Sequence, residues 1–161
     1  MSLSSLNRFH TAQANPTTGY DTALAEIRRG RKTSHWIWYI FPQLAGLGRS
    51  ATARAYAIRN LAEACDYLRD PILRARYEEI TEAVSDQLTR GRSLEDLMGS
   101  RIDALKLVSS VTLFRAAGQR LASEDASFNG LAQLCGLIVE QTATLGYPPC
   151  ADTLARIAVS D

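Results

Sequence analysis

The sequence predicts an all-α fold: a single compact multi-helix domain over residues 1–161, with short connecting loops. Three observations predict it. Alanine, leucine, arginine and glutamate are abundant while β-branched runs are rare, a balance that favours helix over strand. Apolar residues recur at helical spacing along much of the chain. Asp, Ser and Asn stand just before these stripes, and Gly or Pro just after, as helix starts and stops require. With 161 residues, 46% hydrophobic and 22% charged, the chain suits one well-filled core.

The first helix spans Leu3 to Gln13, with Leu6 and Phe9 inward, and the stretch Asn15 to Gly19 is a turn. Asp21 caps or opens a helix to about Arg29 with a Tyr20, Leu24, Ile27 stripe, and Gly30 stops it. Ser34 is placed to cap a short aromatic helix that ends before Pro42, since Phe41 precedes proline. Ser50 caps a helix carrying Ala53, Tyr56 and Ala57, and Asn60 caps Leu61 to Leu68. Asp70-Pro71 starts the helix of Ile72, Leu73, Tyr77, Ile80 and Val84, whose other side is charged (Arg74, Arg76, Glu78, Glu79, Glu82). Ser93 with Asp96 opens a short turn ending at Gly99. Ile102 to Ala117 is the most apolar helix and the predicted centre. Asp125 or Ser127 opens a helix through Leu131, Leu134 and Leu137, Tyr147-Pro148-Pro149 interrupts it, and Asp152 to Val159 is the last.

A net charge of +1 gives no basic excess for nucleic acid or an anionic membrane, and no apolar run has the length of a span. Residues Met1 to Leu6 lack the regions of a signal peptide, so the expected location is the cytoplasm. The three cysteines, Cys65, Cys135 and Cys150, have no metal spacing and fit a reducing compartment. Cys65 and Cys135 read as core residues, and Cys150, after two prolines, as more exposed. No metal and no cofactor is expected: His10 and His35 lack ligand spacing, and neither a Gly-x-Ser-x-Gly elbow nor a P-loop is present.

The densest chemistry lies in residues 32–50, which hold Lys32, Ser34, His35, Trp36, Trp38 and Gln43, then Gly46-Leu47-Gly48-Arg49-Ser50. Helical spacing puts His35 and Tyr39 on one side, Trp36 and Ile40 on another. The two tryptophans therefore point apart: one can enter the core while the other lines a cleft, or both can anchor the core. Histidine is a residue type that can serve as acid, base or anion donor near neutral pH, and a hydrogen-bonded structural role also reads from His35. Gly46 and Gly48 permit close approach of a ligand, and Arg49 with the next helix start offers an anion positive potential; on its own the loop reads first as a plain connector.

A second cluster is Asp103, Lys106 and Ser110. On one helix these share an arc with Leu107, Leu113, Phe114 and Ala117, so polar groups are set into an apolar face. They must then be paired or line a cavity. One reading is an internal Asp103–Lys106 pair; the other is that Asp103 or Lys106 meets a ligand beside the aromatic segment.

These residues resemble a known family. Leu6, Phe9, Tyr20, Leu24, Glu26, Lys32, the block Ser34-His35-Trp36 through Phe41-Pro42-Gln43-Leu44 to Gly46-Leu47-Gly48, then Asp103, Lys106, Ser109-Ser110, Thr112-Leu113-Phe114 and Asp152-Thr153-Leu154 are similar to the domain-of-unknown-function 1810 family. The resemblance implies a small, mostly helical bacterial protein with no established activity. Its members often carry an automatic calpastatin label, which suits a long disordered inhibitor and not this composition. The chain departs from the family pattern at Ile37, where methionine is common, and at Gly146 to Cys150, where a basic residue usually follows the glycine.

Three functions are predicted from different classes. The first is a polar-aromatic pocket for a small anionic, nucleotide-like ligand, built from Lys32, Ser34, His35, Trp36, Gln43, Gly46, Gly48, Lys106 and Ser110. The second is hydrolysis of an ADP-ribose-like or N-glycosidic substrate, with His35 as acid and Asp103 as base or cation stabiliser. The third is a structural or partner-binding module with no such site.

Overall fold

The organising element is a 22-residue helix, α8 (Arg101–Ala122), with twelve buried residues. The computed structural model describes residues 4–160. Before α8 come α1 (Ser4–Gln13), α2 (Tyr20–Arg29), α3 (Ile37–Ile40), α4 (Ala51–Ala55), α5 (Leu61–Arg69), α6 (Pro71–Thr89) and α7 (Leu94–Met98). After it come a 3-10 turn (Ala126–Phe128), α9 (Asn129–Thr144) and α10 (Ala151–Ser160). The fold is all-α: no strand occurs among the described residues, and one isolated parallel bridge joins Leu44 to Ile58.

Helix α9 folds back along α8, and α5, α7 and α10 pack on α8 as well. Gly118 is what lets α9 in: a Cβ there would stand 3.2 Å from the Ala132 Cα. α6 covers α2 and α9, and α1 lies on α3. A run of aromatic rings ties these layers together. Phe9 meets Tyr67 at 5.1 Å, Tyr67 meets Phe114 at 5.1 Å, Phe114 meets Tyr77 at 4.5 Å, and Tyr77 meets Phe41 at 5.7 Å. Each such contact contributes about 1 kcal/mol beyond the area it buries. The buried apolar residues form one cluster from Leu6 to Tyr147.

Most predicted helix starts hold. Ser50, Asn60, Asp70 and Ser93 accept backbone N–H groups as N-caps, Asp70 from both Ile72 and Leu73, while Asp125 caps only the 3-10 turn and α9 begins at Asn129 without a side-chain cap. Gly30 and Gly99 end α2 and α7 in the left-handed conformation, at φ of 94° and 83°. Leu3, predicted to begin the first helix, lies outside the described residues. Four expectations change. Asp21 neither caps nor opens α2, which begins at Tyr20 behind Gly19. Ser34 does not cap α3, because its hydroxyl is bound to Glu26 and α3 begins only at Ile37. α4 stops at Ala55, so Tyr56 and Ala57 lie beyond it. α8 continues past Ala117 to Ala122, since Gly118 faces a close helix and its lost propensity is offset by packing. No helix of the described residues is long and apolar enough to cross a membrane.

Candidate functional site

Residues 30–40 are shaped by one buried carboxylate. Glu26 sits on the buried side of α2 and is 2% exposed. Its Oε1 accepts the N–H of Thr33 at 2.8 Å, of Ser34 at 2.9 Å and of the Trp36 indole at 2.9 Å. The Ser34 hydroxyl donates to its Oε2 at 2.5 Å. Burial alone would raise the pKa of this group, but these four donors outweigh it and lower the pKa from 4.5 to about 2. Trp36 is thereby fixed in the core at 0% exposure.

Lys32 follows from the same loop. Its N–H reaches the Leu97 carbonyl at 2.7 Å, and its ammonium donates to the Ser34 carbonyl at 2.6 Å. The ammonium also pairs with Asp103 Oδ2 at 2.7 Å and lies 5.0 Å from the Trp36 ring centre. Lys32 and Asp103 thus touch directly, with side chains 6% and 17% exposed, instead of facing each other across a cavity. The Asp103–Lys106 pair, one of the two readings of this helix face, does not form; Asp103 pairs with the buried Lys32 instead.

Lys106 goes elsewhere. Its ammonium stands 5.3 Å from the centre of the Trp38 ring. Among the described residues no carboxylate lies within ion-pair distance of it. Together with Phe41, Gln43, Ala53 and Tyr56, these two residues line a recess of about 10 Å³. The Trp38 indole N–H is buried and finds no protein acceptor. An N–H in that state costs on the order of 1–3 kcal/mol. The tryptophan at the cleft is therefore Trp38, and the core anchor is Trp36.

A flap, residues 45–57, contributes Ala53, Tyr56 and Ala57 to the wall of this recess. Ala45 donates to the Ile58 carbonyl at 2.8 Å and Ile58 donates to the Gln43 carbonyl at 2.9 Å. The intervening segment carries α4, none of whose residues is buried. Gly46 adopts φ of 94°, and the space a side chain would take there is filled by Arg156 from α10, 2.7 Å from an added Cβ. Gly48 is confined by Ala53, 2.5 Å from an added Cβ. Arg49 is exposed.

The other predicted residues lie apart from the recess. His35 is exposed, and it is its carbonyl, not its ring, that accepts the Tyr39 hydroxyl at 3.2 Å. No hydrogen bond joins His35 to Asp103 among those formed by the described residues. Ser110 is fully buried and shares a 2.9 Å hydrogen bond with the Tyr77 hydroxyl. No group of three or more His, Cys, Asp or Glu side chains among the described residues could hold a metal ion. Two roomier troughs, of about 580 Å³ around Arg115 and Gln133 and about 650 Å³ beside Glu79 and Glu82, hold none of the predicted site residues.

The sequence thus missed Glu26 and the flap residues Ala53 and Tyr56 as parts of this architecture. Glu26 had a readable signal: it falls beside Ala23 and Ile27 on the apolar side of α2, where an acid must find donors.

This helical frame, with its aromatic segment and paired buried charges, belongs to a known class. Residues 3–135 match the family described as "Protein of unknown function (DUF1810)", and the chain is a member of that family. It is also similar to the crystal structure of the conserved hypothetical protein Rv1873 from Mycobacterium tuberculosis. The two are 38% identical, with a TM-score of 0.75 and coverage of 96% of each chain. No curated protein matches the sequence.

Proposed function

We propose that the chain binds a small anionic, nucleotide-like ligand at the Trp38–Lys106 recess. The observation that carries this reading is the buried Trp38 N–H without an acceptor, next to a lysine without a carboxylate. Both groups lack a negatively charged acceptor, and the Gln43 side chain on the same recess supplies a further polar contact. The recess has room for about one water, so it receives a single oxygen of the ligand. The rest of the ligand lies toward the flap, where Tyr56 offers an aromatic face.

Isothermal titration of the whole chain with AMP and with inorganic phosphate tests this. AMP binds wild type, Lys106→Ala and Trp38→Phe each weaken it at least tenfold, and Ser110→Ala leaves it unchanged. Absence of heat with both probes, or wild-type affinity in Lys106→Ala, defeats the reading. Lys32→Ala is unsuited as a control because Lys32 is committed to Asp103.

The structural-module reading also has a specific observation behind it. Trp36, Lys32, Ser34 and Glu26 spend their polar groups on one another. That half of the segment needs no ligand to explain it.

A further inference from the structure

The last helix seats a cation on the flap. α10 docks through Thr153, which is 0% exposed, and through Ile157 one turn later, which packs against the core. Arg156 stands beside Ile157 and extends away from its own helix to Gly46. Its guanidinium atoms Nη1, Cζ and Nη2 lie 2.7, 3.0 and 3.1 Å from where a Cβ on Gly46 would be. A glycine at this position is what leaves the guanidinium its place.

Gly46 is two residues from Gly48, at most about 7 Å along the chain. A Cβ added to Gly48 would stand 2.5 Å from the Ala53 Cβ and 3.3 Å from the Gln43 amide nitrogen. Ala53 and Gln43 are both walls of the Trp38–Lys106 recess. Arg156 is thus seated on the loop that borders the recess.

Lys106 and Arg156 share one property. Each has an acid one turn earlier on its own helix, Asp103 and Asp152, at spacings that ordinarily pair. Neither uses it. Asp103 is committed to Lys32, and Asp152 stays beyond ion-pair distance while Arg156 turns to the flap. Among the described residues Arg156 forms no hydrogen bond or ion pair. The flap brings no compensating acid either. No Asp or Glu stands between Glu26 and Glu63, and the charged residues of the flap itself are Arg49 and Arg54, both exposed.

Two cations from different helices therefore border one flap, and neither is spent on the protein. An ammonium acts as a point charge, whereas a guanidinium presents paired N–H donors that match the oxygens of a phosphate. A ligand with a single phosphate satisfies Lys106 and leaves Arg156 in water. We infer that the ligand is a nucleotide with two phosphate groups, and that Arg156 is the residue that selects it over the monophosphate. This inference rests on the recess reading given above and extends it to the second anionic group.

The test is isothermal titration of the full-length chain with AMP, ADP and adenosine 3′,5′-bisphosphate. At least one of the two doubly phosphorylated ligands binds wild type about fivefold or more tighter than AMP. Which one does so reports whether the phosphates are adjacent or separated. Arg156→Gln, which keeps a polar side chain without the charge, lowers that affinity severalfold more than it lowers the affinity for AMP. Arg156→Lys retains part of the preference, and high salt shrinks the preference in wild type because Arg156 is exposed. A residue that merely latched the flap would weaken all three ligands alike. Equal losses for the three ligands in Arg156→Gln, or no preference over AMP in wild type, overturn the inference while AMP binding leaves the recess reading standing. Absence of heat with all three ligands defeats both.

Discussion

Glu26 and Trp36 are ten residues apart and joined by a 2.9 Å hydrogen bond from the indole N–H to a buried carboxylate. That bond sets the depth of the aromatic segment. It places Trp36 inside, and one turn of short helix then delivers Trp38 to the recess. Replacing Glu26 by Gln exchanges one acceptor oxygen for an amide that donates toward groups that are themselves donors. We expect a loss of about 2–3 kcal/mol in urea unfolding, the scale of hydrogen bonds to a charged group.

The same carboxylate governs part of the acid stability. Its folded pKa, about 2, lies below its ordinary 4.5. The stability it contributes is thus complete above about pH 4.5 and is lost as pH falls toward 2. Wild type loses stability through that window in urea titrations at stepped pH. Glu26→Gln shows a shallower slope there, and an unchanged slope contradicts the assignment.

Lys32 and Asp103 form a buried pair whose members are separately expensive to orphan. Lys32→Met or Asp103→Asn alone costs about 3 kcal/mol, because a charge is left without its partner. The double variant loses clearly less than the sum, and a double-mutant cycle from thermal melts measures the coupling. Additive losses would show that the pair is not energetically linked.

Gly99 controls the approach of α7 to Lys32. It sits at φ of 83°, and a Cβ there would come within 2.7 Å of the Lys32 carbonyl oxygen. Gly99→Ala combines backbone strain with that collision, for a loss of about 2 kcal/mol. The matched control is Gly91→Ala, also at positive φ but with open space around it, which loses only the strain. Equal losses in the two variants remove the steric part of the account.

Tyr77 and Ser110 satisfy each other in the core at 2.9 Å. Tyr77→Phe leaves the Ser110 hydroxyl without that partner and costs on the order of 1–2 kcal/mol; adding Ser110→Ala restores part of the loss. Denaturant midpoints of the three variants decide it.

The helices were legible because their ends are written locally. Asp70-Pro71, Asn60 and Ser50 each place a side-chain acceptor within three residues of the N–H it takes, and Gly30 and Gly99 mark stops that need only one backbone conformation. The Ser34 cap failed because a distant competitor, Glu26, binds its hydroxyl more strongly than a helix end would. The clustering of Lys32, Asp103 and Lys106 near the tryptophans was also readable, since buried polar groups on an apolar arc demand partners. Their partnering was not. Whether Asp103 meets Lys106 or Lys32 depends on where a loop 70 residues away is held, and that loop is set by Glu26. For Ser110 the deciding fact is Tyr77 on another helix, which no spacing along α8 reveals.

The bridge between Leu44 and Ile58 has a consequence for how such a chain changes over generations. Because the backbone leaves and rejoins the body at one hydrogen-bonded step, the segment between is insulated from the register of the helices on either side. Doubling its length costs only about 0.6 kcal/mol in closure entropy. Insertions and deletions there redraw the mouth above Trp38 while the aromatic run beneath stays in place. Selection can therefore retune what reaches the recess without renegotiating the fold.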